Sequence, residues 1–126
     1  REGIPLLLDA GHLHFARGDG LRAIDNHHAR IRHVHTKDIR QSVLDNLDWS
    51  RDSFLDAVIK GAFTVPGDGS LDFGAIVQRL ADHGYEGWFV VEAEQDPKAN
   101  PPLRMAQVGH AELMRVMTAA GYEVVA

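Results

Sequence analysis

The sequence predicts an α/β fold built on parallel strands, and three observations carry that prediction. Short apolar runs recur at Ile4–Leu8, Ile31–Thr36 and Trp88–Val91. A helical stripe separates the first two, a strand–helix–strand order that implies parallel pairing. Each run closes on side chains of the metal-ligating type: Asp9 and His12, His33 and His35, Glu92 and Glu94. At the C-terminal tips of parallel strands in a β/α barrel, such side chains share one face, and that face carries the chemistry.

The elements follow in order. Ile4 to Leu8, broken only by Pro5, suits a strand buried on both faces. Gly18 to Ala29 reads as a helix with Leu21, Ile24 and His28 on one stripe, and Ile31 to Thr36 as the next strand. The long connection from Lys37 to Thr64 holds a weak helix over Ser42–Leu47. It also holds a better one over Arg51–Lys60, with Ser50 as N-cap and Gly61 as stop. Val65-Pro66-Gly67-Asp68-Gly69 is a tight loop. Asp72 caps a helix with Phe73, Ile76, Val77 and Leu80 on one face, ended by Gly84. Trp88–Val91 is a third buried strand, Pro97–Pro102 a breaker, and Leu103–Ala120 the last helix.

The order is β-α-β-(αα)-α-β-α, without internal repeat or linker, so residues 1–126 form one domain. Three parallel strands do not close. A barrel of eight takes roughly 250 residues, and an open three-stranded sheet leaves two apolar edges bare. The fold class expected is therefore the C-terminal three β/α units of a (β/α)8 TIM barrel, a partial barrel. The start at Arg1-Glu2-Gly3-Ile4 has neither Met nor a signal-peptide pattern and runs almost at once into a strand, as expected of a piece of something longer.

Composition narrows the chemistry. The chain has no cysteine, which excludes disulfides, thiolate zinc sites and thiol nucleophiles. A metal would be held by His and carboxylates, a donor set for Mn, Co, Zn, Fe or Mg. The net charge of −5 does not fit a nucleic-acid footprint. No apolar run is long enough for a membrane span. The bare apolar edges predict poor solubility or self-association, a homo-oligomer being one form the latter could take.

Read residue by residue, several positions stay open. Asp9 is either a ligand or the cap of the following turn, and His12 a ligand, a substrate contact or an ordinary loop residue. His33 and His35 project to the same face at period two, with His35 nearer the rim. Lys37 could polarise a carbonyl, move a proton or sit in solvent. Glu92, following an apolar strand, needs a cation or a donor, and Glu94, two positions on, either supports that ligand, faces a substrate or is simply exposed. His14, His27, His28, His83 and His110 are expected at the surface.

The segments LLLDAGHLHFA, HVHTKDIR, FLDAVIKGAFTVPGDGSLDF and GYEGWFVVEAEQDP resemble the myo-inosose-2 dehydratases of the xylose-isomerase-like sugar isomerase/epimerase superfamily. The similarity runs from about Leu6 to about Val108. It implies that Asp9, His35 and Glu92 bind a divalent metal, Mn or Co before Zn or Mg. Glu92 is chosen over Glu94 because the superfamily's ligand glutamate follows its strand directly, five residues after a glycine, here Gly87. His12, Lys37 and Glu94 become the candidates for catalysis, and His12, His33 and Arg40 for substrate contact. Related epimerases carry an arginine six residues after the ligand histidine. Here that position is Gln41, with Arg40 one place earlier. The superfamily's fourth ligand, a glutamate on an earlier strand, has no counterpart in this sequence. The implied activity is a cytoplasmic hydro-lyase reaction of inositol catabolism, with the cyclic polyol ketone 2-keto-myo-inositol as partner and no nucleic acid or membrane. An isomerase or 3-epimerase would use the same ligands, and a truncated barrel could be non-catalytic. A zinc-dependent abasic-site endonuclease would need a further Asp-x-His pair, and none occurs between Lys37 and Gly69.

Overall fold

A computed structural model describes residues 3–125 of the chain; Arg1 and Glu2, read above as an abrupt start, lie outside the described residues. Apolar Leu6–Asp9 forms strand β1, and Asp9 at once caps helix α1 (Ala10–Phe15) by accepting from the His12 backbone N–H. Asp19 caps helix α2 (Gly20–His27) in the same way, and a short 3₁₀ turn, His28–Arg30, leads into β2 (Ile31–His35). The connection that follows is more ordered than its sequence suggests. Asp38–Ile39 (β3) pairs antiparallel with Phe63–Thr64 (β4), and between them lie helices α3 (Gln41–Leu44) and α4 (Phe54–Ile59). Helix α5 (Phe73–Asp82), strand β5 (Phe89–Val90) and helix α6 (Pro102–Ala119) complete the chain.

The main sheet is parallel, in the order β1-β2-β5. The β1–α2–β2 and β2–α5–β5 passages bury apolar helix stripes against it. Ile24 of α2 and Phe73, Ile76 and Leu80 of α5 close over Leu8, Ile31 and Val34 of the sheet. Val77 of α5 faces Leu113 and Val116 of α6 in a second layer. A third cluster, with Ile39, Leu44, Ala57, Ala62 and Phe63, fills the space under β3 and β4. Among the described residues the sheet does not close into a barrel: β1 and β5 are both edges.

Four expectations are corrected. The first and third strands are not buried on both faces, because no neighbour covers them. Leu7 is 51% and Trp88 73% exposed. The cap of α4 is Ser53 rather than Ser50. Ser53 and Asp56 form a reciprocal capping box, which starts the helix at Phe54. The expected apolar face of that helix is largely bare: Phe54, Leu55 and Ile59 are exposed while Ala57 faces inward. His28 does not join the core stripe of α2 but stacks on His83, with ring centroids 4.1 Å apart.

Candidate metal centre

Strand register brings the site together. Asp9 pairs with His35 across β1 and β2, and His35 pairs with Val90 across β2 and β5. Register partners in a parallel sheet point to the same face, as do residues two apart on one strand. Glu92 lies two residues past Val90, just beyond the end of β5, and its carboxylate reaches the face that bears Asp9 and His35. One ligand atom from each of the three lies within 4.8 Å of the others. His35 Nδ1 stands 2.7 Å from Glu92 Oε2 and 3.6 Å from Asp9 Oδ2.

Asp9 caps the following turn and still turns one carboxylate oxygen toward the cluster. Its Oδ1 accepts from the His12 backbone N–H at 2.8 Å and starts α1. Its Oδ2 faces the cluster, 3.1 Å from His12 Nδ1. The short helix that follows swings the His12 ring over the site, where Nε2 is 3.5 Å from Glu94 Oε1.

Lys37, two residues past His35, threads beneath α1 and is wholly buried. Gly11 makes room for it, since a Cβ there would lie 2.8 Å from both Lys37 Cγ and the Lys37 carbonyl oxygen. The ammonium ends 2.6 Å from Glu94, 3.2 Å from Glu92 and 3.5 Å from Asp9. Burial pushes the Lys37 pKa down, but the carboxylates of Glu94, Asp9 and Glu92 outweigh it and hold the group above the ordinary lysine value.

The donor set fits a divalent cation. It combines one imidazole nitrogen and two carboxylates, the mixed N/O set of borderline and hard metals. Glu92 Oε2 and Glu94 Oε2 are buried atoms that accept no hydrogen bond of good geometry, although cationic groups lie close. Buried carboxylate oxygens need positive charge beside them, which Lys37 and His35 supply here and a bound cation would add to.

The remaining expected residues are placed as follows. His33 sits one layer below, opposite Leu7, with its ring edge-on to His35 at 5.3 Å. Arg40 is committed elsewhere: its guanidinium donates to the Gly61 carbonyl (2.9 Å), Asp68 (2.5 Å) and Asn100 (3.2 Å). His14 bonds Gln41, His83 bonds Asp25, and His27 and His110 are exposed.

Sequence reasoning missed the network around Arg40. Gln95 Nε2 donates to Thr64 Oγ1 (3.2 Å), and Thr64 Oγ1 donates to the same Asp68 carboxylate that receives Arg40 (2.5 Å). Burial pushes the Asp68 carboxyl up, but the Thr64 and Arg40 donors hold it below its usual range. Gln95 and Asn100 lie within the loop that carries Glu92 and Glu94, so the network ties that loop to β3 and β4. Asp38, also missed, buries its carboxylate and accepts from the backbone of Ile39, Ser70 and Leu71, which fixes the end of the Val65–Gly69 loop. The Val-Pro-Gly-Asp-Gly motif was the available signal: it shapes backbone, and it also supplies Asp68.

Parallel β/α units with donor atoms gathered at the strand ends define the class. The chain belongs to the xylose isomerase-like TIM barrel family, whose family model matches residues 1–122. Among characterised proteins it is similar to the rhizopine catabolism protein MocC of Rhizobium meliloti, 49% identical over 98% of this chain and 38% of that protein. It is 54% identical to the inosose dehydratase of Geobacillus thermodenitrificans over 82% of this chain and 35% of that enzyme. The inosose dehydratase of Salmonella typhimurium is 46% identical over 84% of this chain and 35% of the enzyme. The chain thus spans little more than a third of the length of the curated relatives it matches. No helix among the described residues is long and apolar enough to cross a membrane.

Proposed function

We propose that this chain supplies the metal-binding and proton-handling part of an inosose dehydratase, which removes water from 2-keto-myo-inositol in the cytoplasm. The observation that carries the reading is the convergence of Asp9, His35 and Glu92 within 4.8 Å at the ends of parallel strands. The names of the relatives, inosose dehydratase among them, support the substrate. Asp9, His35 and Glu92 would hold a divalent cation, Mn or Co before Zn or Mg. Such a cation supplies Lewis-acid polarisation of a ketone.

The chain's own groups divide the remaining work. Dehydration beside a carbonyl removes a proton from the neighbouring carbon and expels the next hydroxyl, which takes up a proton and leaves as water. Glu94 and the His12 ring, 3.5 Å apart and both partly exposed, are the reachable pair for taking and returning those protons. Lys37 is enclosed beneath them. Its ammonium holds Glu94 and Glu92 in place and supplies a fixed positive charge next to the developing oxyanion.

The test is made on the protein as expressed from its own gene, loaded with Mn or Co. Dehydration is followed by the ultraviolet absorbance of the diketone product. Glu92→Gln is expected to lose bound metal and turnover together; retained metal occupancy would reject the ligand assignment. A wild-type protein that epimerises ketohexoses but leaves 2-keto-myo-inositol intact would replace the dehydratase reading with that of a sugar epimerase.

A further inference from the structure

An aromatic cluster borders the metal centre on the His12 side. Phe15, Phe54 and Phe63 pack mutually, with ring centroids 5.2 to 5.7 Å apart. His12 joins them, 5.2 Å from Phe63 and 5.9 Å from Phe54. Phe63 is fully buried and sits 5.7 Å from the Lys37 ammonium. Phe54 differs from it in exposure: the residue is 48% exposed, although it belongs to the same cluster.

Phe54 is also held where it is. The Ser53–Asp56 capping box fixes the first turn of α4, and Phe54 is that helix's first residue. A bare aromatic ring is thus presented beside three carboxylates, two imidazoles and an ammonium. Few ligands want both surfaces at once. A ring-shaped polyol does: its hydroxyl and carbonyl oxygens lie around the rim, while its faces present C–H groups. Aromatic lining with a few placed polar groups is the usual composition of a small-molecule site.

We infer that Phe54 is a specificity residue, a platform on which one C–H face of a cyclic polyol packs while its oxygens meet the His12, Glu94 and metal-ligand cluster. Open-chain polyols lack a flat C–H face and gain little from the ring. The inference rests on the polyol part of the proposed function and not on the dehydration step.

The probes are myo-inositol (cyclic) and mannitol (open-chain), titrated calorimetrically into the Mn-loaded protein, with Phe54→Leu and Phe54→Tyr variants. Phe54→Leu is expected to weaken myo-inositol binding about five- to ten-fold, the size of a lost aromatic contact. Phe54→Tyr keeps the affinity within about two-fold, since the ring remains. Bound metal is the same in all three, and mannitol affinity is unaffected. In the wild-type protein loaded with diamagnetic Mg, saturation of the phenylalanine ring protons transfers to the inositol C–H protons, a readout that requires no variant to fold. Equal myo-inositol affinity in Phe54→Leu, equal weakening of both polyols, absence of that transfer, or no myo-inositol binding by the wild type each overturns the platform. Binding that depends on Phe54 without any dehydration of 2-keto-myo-inositol keeps the platform and rejects the dehydratase.

Discussion

Removing the charge of Lys37 while keeping its stem isolates what the ammonium does, and Lys37→Met is the substitution that does so. The methionine chain fills the space beneath Gly11, so no cavity forms. What changes is electrostatic: Glu94, Glu92 and Asp9, at 2.6, 3.2 and 3.5 Å from the ammonium, lose their common counter-charge. Breaking a fully buried pair costs roughly 3–5 kcal/mol. Here the lysine is buried, but the Glu92 and Glu94 side chains are 37% and 35% exposed, so water screens much of the repulsion. A cost of about 2 kcal/mol is the reasonable expectation for metal-free protein. For a domain of this size that corresponds to a fall in Tm of roughly 6–10 °C. Mn binding then compensates, because a divalent ion takes over the counter-charge. The Tm gain on saturating with Mn is therefore larger in Lys37→Met than in the wild type. Differential scanning calorimetry with and without Mn measures both effects. Unchanged metal-free stability together with an unchanged metal-induced gain would refute the role assigned to this lysine.

Three further perturbations probe the surrounding frame. Thr64→Val removes the hydroxyl linking Gln95 to Asp68 without changing volume, and is expected to weaken Mn binding about three- to ten-fold by loosening the loop of Glu92 and Glu94. Thr64→Ser restores the binding, and a Val variant with wild-type Mn affinity would contradict the link. Gly69→Ala drives a Cβ into the Asp38 carboxylate, so a loss of about 2 kcal/mol or more in urea unfolding is expected, and a neutral result would dissolve the claimed close fit. Burial holds the Asp38 carboxyl above its usual range despite the donors from Leu71, Ile39 and Ser70, and its Oδ2 has no partner. A raised folded-state pKa in an acid means the folded form keeps its proton longer. The Asp38 contribution is thus full below the unfolded-chain value and is lost as pH rises through the raised one. Urea unfolding between pH 3 and pH 7 is expected to show this loss in the difference between the wild type and Asp38→Asn, because carboxyls held below their usual range, such as Asp68, change stability in the opposite sense in both proteins; a difference that does not vary with pH would contradict it.

How far the sequence reaches differs from element to element. Helix α5 was fully legible: Asp72 caps it and the predicted face of Phe73, Ile76, Val77 and Leu80 is the buried one. Local rules suffice there, because cap chemistry and a 3.6-residue period are properties of neighbouring residues. The pairing of β3 with β4 was not legible. Two residues on each side carry no periodicity, and the pairing joins positions about 25 apart in sequence, such as Ile39 and Phe63. The engagement of Arg40 with Asp68 and Asn100 escaped for the same reason, since nothing local distinguishes a committed guanidinium from a free one.

The candidate site divides along that line. Residue type and strand-end position already marked Asp9, His35, Glu92 and their neighbours as donors, because a charged or imidazole group closing an apolar strand needs a partner wherever the chain folds. Register was what remained. Only the pairing of Asp9 with His35 and of His35 with Val90 puts the three donors on one face at bonding range of a single ion. A one-residue slip would send one of them to the opposite face. The burial of Lys37 under Gly11 and the exposure of Phe54 were likewise decided in three dimensions, since both depend on which distant segment covers which side chain.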